Sequence, residues 1–223
     1  MAFRPTYRIF ACMNENKPSG VAWSSSVIIA DADYVDKVAF NLIVNFERMI
    51  GRPIPPADMA RWLVCVALDG GLRPGETIAA GGMKQPESDV QAVLIHRKDS
   101  LKMANFQPST FEKELDGQAF TDRLGEFSLA APAVEPMVDA RDFFLDIVGT
   151  VCAEPSVRRV MIVPNAEEGT LYDDLRETLR HVSDDKRVTV FTMEPLAGGN
   201  FRQEILGYSL MAALGISSSE IPR

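Results

Sequence analysis

The last third of this chain alternates short apolar runs with helical periods, and that grammar narrows the fold more than any other feature. Val157-Arg158-Arg159-Val160-Met161-Ile162-Val163 reads as a strand, a helix opens at Thr170, and Arg187-Val188-Thr189-Val190-Phe191-Thr192-Met193 reads as the next strand. The helix between them sets Leu171, Leu175, Leu179 and Val182 on one face, and Thr170 with Asp173 has capping-box spacing. A last helix is expected from near Asn200, with Gln203 in the reciprocal capping position, to Gly215. Strands separated by single helices pair in parallel, because the crossover returns the chain to the same end of the sheet. The expected class is therefore α/β: a three-layer sandwich, a mostly parallel sheet with helices on both faces.

The upstream sequence fits the same class. Tyr7 to Cys12 and about Val21 to Ala30 read as strands, separated by the polar turn Asn14 to Gly20. Val35, Val38, Ala39, Leu42, Ile43, Phe46, Met49 and Ile50 then fall on one helical face. After Pro53-Ile54-Pro55-Pro56 a second helix carries Met59, Trp62, Leu63 and Val66 and stops at Gly70-Gly71, followed by a loop from Leu72 to Asp89. Val90 to Ile95 and Glu126 to Ala131 read as strands, and a helix spans about Val138 to Cys152. Between 98 and 125 the pattern supports either a hairpin strand or a short helix around Phe111 to Leu115. With no linker and no repeat, residues 1–223 read as one domain, with an N-terminal strand and loop over 1–20 and a frayed tail over 216–223.

Composition bounds the function classes. A chain of 223 residues that is 46% hydrophobic and 24% charged has enough apolar material for a sizeable core. The net charge of −8 works against wide contact with a polyanion, so nucleic acid stays open as a partner but is disfavoured. Cys12, Cys65 and Cys152 are far apart and odd in number, which suits buried thiols in a reducing compartment rather than a disulfide framework or metal clip. The first residues carry no apolar signal stretch and no run is long enough to span a membrane, so the expected location is the cytoplasm. Partners and oligomeric state are left unknown.

In an open parallel sheet, ligands bind beyond the carboxyl ends of the strands, where loops and helix N-termini converge. Following each strand to its exit places Asp31 and Asp33 after the first, Asn165, Glu167 and Glu168 after a later one, and Glu194 after the last. Clustered carboxylates suit a hard cation, Mg²⁺ or Mn²⁺, which keeps waters able to bridge to a phosphate. Asp31, Asp33, Asp139 and Glu167 are the candidate catalytic residues, and Asp31, Asp139 and Glu167 the candidate metal ligands. The competing reading makes the same side chains helix caps and solvated charges. A weaker anion site is Gly198-Gly199-Asn200, where paired glycines precede the expected last helix. His96 and His181 are the only histidines and form no nucleophilic triad by order.

The apolar strand ending in Asp-Ala-Asp, Val27-Ile28-Ile29-Ala30-Asp31-Ala32-Asp33, resembles the opening of PIN-like nucleases of the NYN branch. The resemblance runs over about residues 27–193, through Pro164-Asn165-Ala166-Glu167-Glu168 at the later strand exit and Asp139, Asp142 and Asp146 on one helical face. It implies a divalent-metal-dependent phosphoester hydrolase, with Asp31 the first residue to test. A non-catalytic interaction or scaffold domain is the alternative, and a nucleotide-binding domain using Gly198 and Gly199 is a third.

Overall fold

Ser-Val-Ile-Ile-Ala-Asp, β-branched and apolar until its last residue, forms the strand around which the sheet is laid. It is β2 (Ser26–Asp31), following β1 (Arg4–Pro5) in chain order. The structure, a computed structural model, describes residues 4–5, 23–74 and 89–221. The expected strand Tyr7 to Cys12, the turn after it and most of the loop before Asp89 lie outside these residues.

Buried on both sides, β2 pairs in parallel with β4 (Val90–Arg97) on one edge and β9 (Arg159–Val163) on the other. Beyond β9 come β10 (Arg187–Thr192) and β11 (Arg202–Ile205), both parallel. Beyond β4 come β7 (Gly125–Ala130), parallel to it, and its antiparallel hairpin partner β6 (Gln118–Asp122), to which β1 adds. The short β8 (Ala133–Val134) extends the pairing of β4, and β3 (Ala57–Asp58) pairs separately with β5 (Phe106–Gln107). The protein is thus mixed α/β with a mostly parallel central sheet.

Strand alternation divides the core. Ile28 and Ala30 of β2 join one apolar cluster with α1 (Ala32–Ile50), α2 (Met59–Asp69) and α5 (Leu206–Ala213); Val27 and Ile29 join another with α3 (Ala140–Ala153) and α4 (Leu171–Leu179). Three of these helices begin where an aspartate accepts from their free N–H groups: Asp31 accepts from Tyr34 N at α1, Asp58 from Arg61 N at α2, and Asp139 from Arg141 N and Asp142 N at α3. Gly51 ends α1 in the left-handed region at φ 69°, which glycine adopts without strain.

Three local expectations are corrected. No helix starts at Asn200. Gln203 reaches back to Leu196, accepting from its N–H and donating to its C=O, which holds residues 202–205 extended beside β10, and α5 opens only at Leu206. The Thr170 capping box does not form, because the Thr170 hydroxyl donates to Asp174 rather than accepting from the helix backbone. The tail is not frayed through 221: Ser217 and Glu220 close a capping box over Ser218–Glu220, and Arg52 grips the Glu220 carboxylate from two nitrogens at 2.7 and 3.1 Å. The ambiguous stretch resolves as both alternatives, a π-helical turn at Phe111–Leu115 followed by the β6–β7 hairpin. No described helix is long and apolar enough to cross a membrane.

Candidate functional site

The chain leaves β2 into α1 and leaves β9 into α4, and these helices belong to opposite clusters. The two adjacent strands therefore send their connections apart, which opens a crevice at their carboxyl ends. A cleft of about 580 Å³ lies there, lined by Asp31, Tyr34, Lys37, His96, Arg97 and Asn165 among others, with Phe40, Ile95, Val134 and Phe144 supplying an apolar wall. Its size is that of a small-molecule site.

Asp31 sits at the base as the last residue of β2. Burial pushes its carboxyl up from 3.8 to about 6; the Tyr34 N–H it accepts opposes this, and the nearby charge of Asp33 reinforces it. A carboxyl with that pKa exchanges protons close to neutrality. Asp33 accepts from Arg97 N at 2.9 Å, pinning the exit of β4 to the start of α1. Asp36 holds the 104–105 turn by accepting from both backbone N–H groups, and burial raises its carboxyl against those bonds.

His96 lines the β4 side of the same cleft. Its Nδ1 lies 2.9 Å from the carbonyl oxygens of both Arg97 and Ser100, neither of which can donate, so Nδ1 carries the hydrogen. In the neutral ring Nε2 is then the basic nitrogen. The imidazole stacks on Phe111 with ring centroids 3.7 Å apart and an interplanar angle of 8°.

Asn165, two residues past β9, contributes a buried side-chain oxygen with no hydrogen-bond partner among the described residues. Its amide N–H₂ is turned to Glu168, which helps Lys37 hold that carboxylate below its usual range. Lys37 and Glu168 pair at 2.8 Å across the mouth, both largely exposed.

A family profile matches residues 20–221, almost the whole chain. The chain belongs to DUF6621, a family of unknown function. No curated protein and no solved structure matches it.

In this DUF6621 chain the residues named from sequence do not all meet. Asp31 and Asp33 share the crevice. Glu167 faces a neighbouring cleft with Thr192, Met193 and Glu194, where it accepts from the Tyr34 hydroxyl at 3.0 Å. Asp139 is exposed and its carboxylate caps α3, while Asp142 and Asp146 are exposed on that helix. Among the described residues no three His, Cys, Asp or Glu side chains are grouped so as to hold a metal ion, so the set Asp31, Asp139 and Glu167 is not assembled as one ligand sphere. Gly198, Gly199 and Asn200 lie in the β10–β11 connection without the helix N-terminus that would make them an anion site; Gly198 instead accepts from Arg176 and Asn200 donates to Val182 O.

Asn165 stands at the strand exit that the sequence marks, whereas His96 reads from sequence only as a histidine outside any triad, and Lys37 and Arg97 carry no site signal there. Lys37 stands one turn into α1 and Arg97 ends β4, so their position at the rim was legible only once the strand order was known. Tyr34 is the residue that joins the two clefts. Replacing it by Phe removes a hydrogen bond to a carboxylate and should lower stability by about 1 kcal/mol, since Glu167 is exposed and regains water. An unchanged urea midpoint would mean the bond adds nothing to the solvated carboxylate.

Proposed function

We propose that the crevice at the ends of β2, β4 and β9 binds a small anionic molecule that also carries a hydroxyl or amine, and that Asp31 exchanges a proton with it. The observation that carries this reading is the buried, unpaired Asn165 oxygen in the same cleft as the desolvated Asp31 carboxyl. A buried acceptor without a donor is unfavourable by about 1–3 kcal/mol, and a ligand O–H or N–H removes that penalty. Lys37 and Arg97 stand at the mouth paired with Glu168 and Asp99 at 2.8 and 3.2 Å, and an anionic group of the ligand would exchange with those exposed carboxylates, while His96 lines the β4 side. A phosphate ester of a polyol or nucleoside combines these features, and hydrolysis of such an ester is the activity we infer.

The finer expectation, a PIN- or NYN-like three-layer domain using Mg²⁺ or Mn²⁺, rests on the Asp31–Asp33 pair in this setting. Magnesium is commonly held by one or two carboxylates plus water and substrate phosphate. Among the described residues a three-carboxylate set does not fit. The scaffold reading is favoured by a different observation: Asp31, Asp33, Asp139 and Glu167 each already accept a hydrogen bond from the protein.

The test is thermal unfolding with millimolar Mg²⁺, Mn²⁺ and a panel of phosphate monoesters, followed by phosphate release. A ligand bound only by the folded chain must raise the melting temperature. Stabilisation by a monoester that is lost in Asn165→Leu supports the ligand site, and release of phosphate lost in Asp31→Asn supports catalysis. A shift with metal alone that disappears in Asp33→Asn assigns the pair as a cation site. No response to any of these favours the scaffold.

A further inference from the structure

Parallel pairing brings the first residues of β9, β10 and β11, which are Arg159, Arg187 and Arg202, to one rim at the opposite end of the sheet. This rim lies a strand length, about 20 Å, from the Asp31 crevice. Arg73 arrives from beyond α2, and Arg158 and Lys186 from the residues before β9 and β10. Two clefts of about 560 and 620 Å³ share Gly71, Arg73, Arg159 and Arg187. This concentration of cations occurs in a chain whose net charge is −8.

The cations are held in place mainly by neutral groups. Arg159 donates to Gly70 O and Arg73 to Leu68 O and Leu72 O, at the end of α2 where the helix dipole favours positive charge. Lys186 donates to Glu154 O and Val157 O. Asp185 pairs with Arg158 and Glu204 with Arg202, each at 2.6 Å. Among the described residues no carboxylate forms an ion pair with Arg73, Arg159 or Arg187. Burial, and then the charges of Arg187, Arg73 and Arg202, hold the Arg159 guanidinium below its usual range. A bound anion would relieve that repulsion.

We propose that this groove binds a compact polyanion carrying two or more linked phosphates, either inorganic polyphosphate or a nucleoside polyphosphate. Guanidinium forks match phosphate oxygens two at a time, and most of the cations here are arginines. The acidic remainder of the chain repels a long polyanion beyond the groove, while the cleft volumes suit a small molecule. Phe201, half-buried, lines the same cleft with Asn200 and offers a nucleoside an apolar surface. This site is independent of the Asp31 crevice.

The experiment is calorimetric titration and thermal unfolding of the full chain with orthophosphate, pyrophosphate, tripolyphosphate, AMP, ATP and a single-stranded oligonucleotide, all at matched ionic strength. Pyrophosphate, tripolyphosphate and ATP should bind roughly tenfold or more tighter than orthophosphate and AMP, because a second phosphate adds charge-assisted hydrogen bonds. Arg187→Gln, an exposed change at the first residue of β10, should weaken that binding by roughly tenfold while leaving the melting temperature without ligand nearly unchanged. ATP tighter than tripolyphosphate assigns a nucleoside ligand, and the reverse order assigns inorganic polyphosphate. Equal effects of orthophosphate and pyrophosphate, binding indifferent to both Arg187→Gln and Arg73→Gln, or an oligonucleotide binding more tightly than ATP and tripolyphosphate, would overturn the proposal.

Discussion

Asp31→Asn should make the protein more stable above pH 6 while removing proton exchange from the crevice. In the folded state the carboxyl is raised from 3.8 to about 6, chiefly by burial. Between those values the folded chain binds more protons than the unfolded chain, so this group lowers stability as pH rises, and its penalty is complete above about 6. At about 1.36 kcal/mol per unit the full penalty is about 3 kcal/mol. That is an upper value, because the amide must also be desolvated. Asn ranks with Asp as a helix cap, so the bond to Tyr34 N at the start of α1 is kept. Urea unfolding of both chains at about pH 4 and about pH 7.5 isolates this residue from other carboxylates, since only the difference between chains is read. The chains should differ little at the lower pH and by 1–3 kcal/mol, as an order of magnitude, at the higher. A difference independent of pH would refute the raised carboxyl and with it the proton-exchange role. Stability gained as function is lost is the usual signature of a residue kept for activity rather than for folding.

Phe111→Ala should cost about 3–5 kcal/mol, the range for emptying a buried aromatic site. The ring is 2% exposed in the cluster beneath α1 and α2, and its face covers His96. The stacked pair adds about 0.5–1.5 kcal/mol beyond burial. Phe111 also anchors the π-helical turn, its N–H donating to Leu101 O and its C=O accepting from Asp116 N. Removing the side chain therefore loosens the segment that orients His96 as well as the core. Phe111→Leu keeps most of the volume and should be milder, leaving a folded chain in which the His96 tautomer can be read by NMR. Loss of the Nδ1–H tautomer in the Leu variant supports the positioning role, whereas its retention assigns Phe111 to packing alone.

Much of the fold could be read along the chain because its determinants are local. The helical periods of α1, α3 and α4 and the apolar runs of β2, β4, β9 and β10 are written in residue spacing, and parallel pairing follows from their alternation. Reading failed where a distant contact overrode a local pattern. Residues 200–205 have the spacing of a helix start, yet the Gln203 side chain binds Leu196 and β10 offers a free edge, so a strand forms. The tail looks polar and free, yet Arg52, distant in sequence, fixes it.

The candidate site divides the same way. The sequence alone determined that Asp31 ends an apolar strand and precedes a helix, because strand termination and capping depend on neighbouring residues. It could not decide which acidic strand ends share a crevice, since that depends on strand order. The order β4-β2-β9-β10 puts Asp31 with Asn165, Arg97 and His96, and leaves Glu167 in the next cleft and Asp139 on the surface. Burial, which raises the Asp31 carboxyl toward neutrality, is likewise a property of the assembled molecule, because only the packed chain removes water from it.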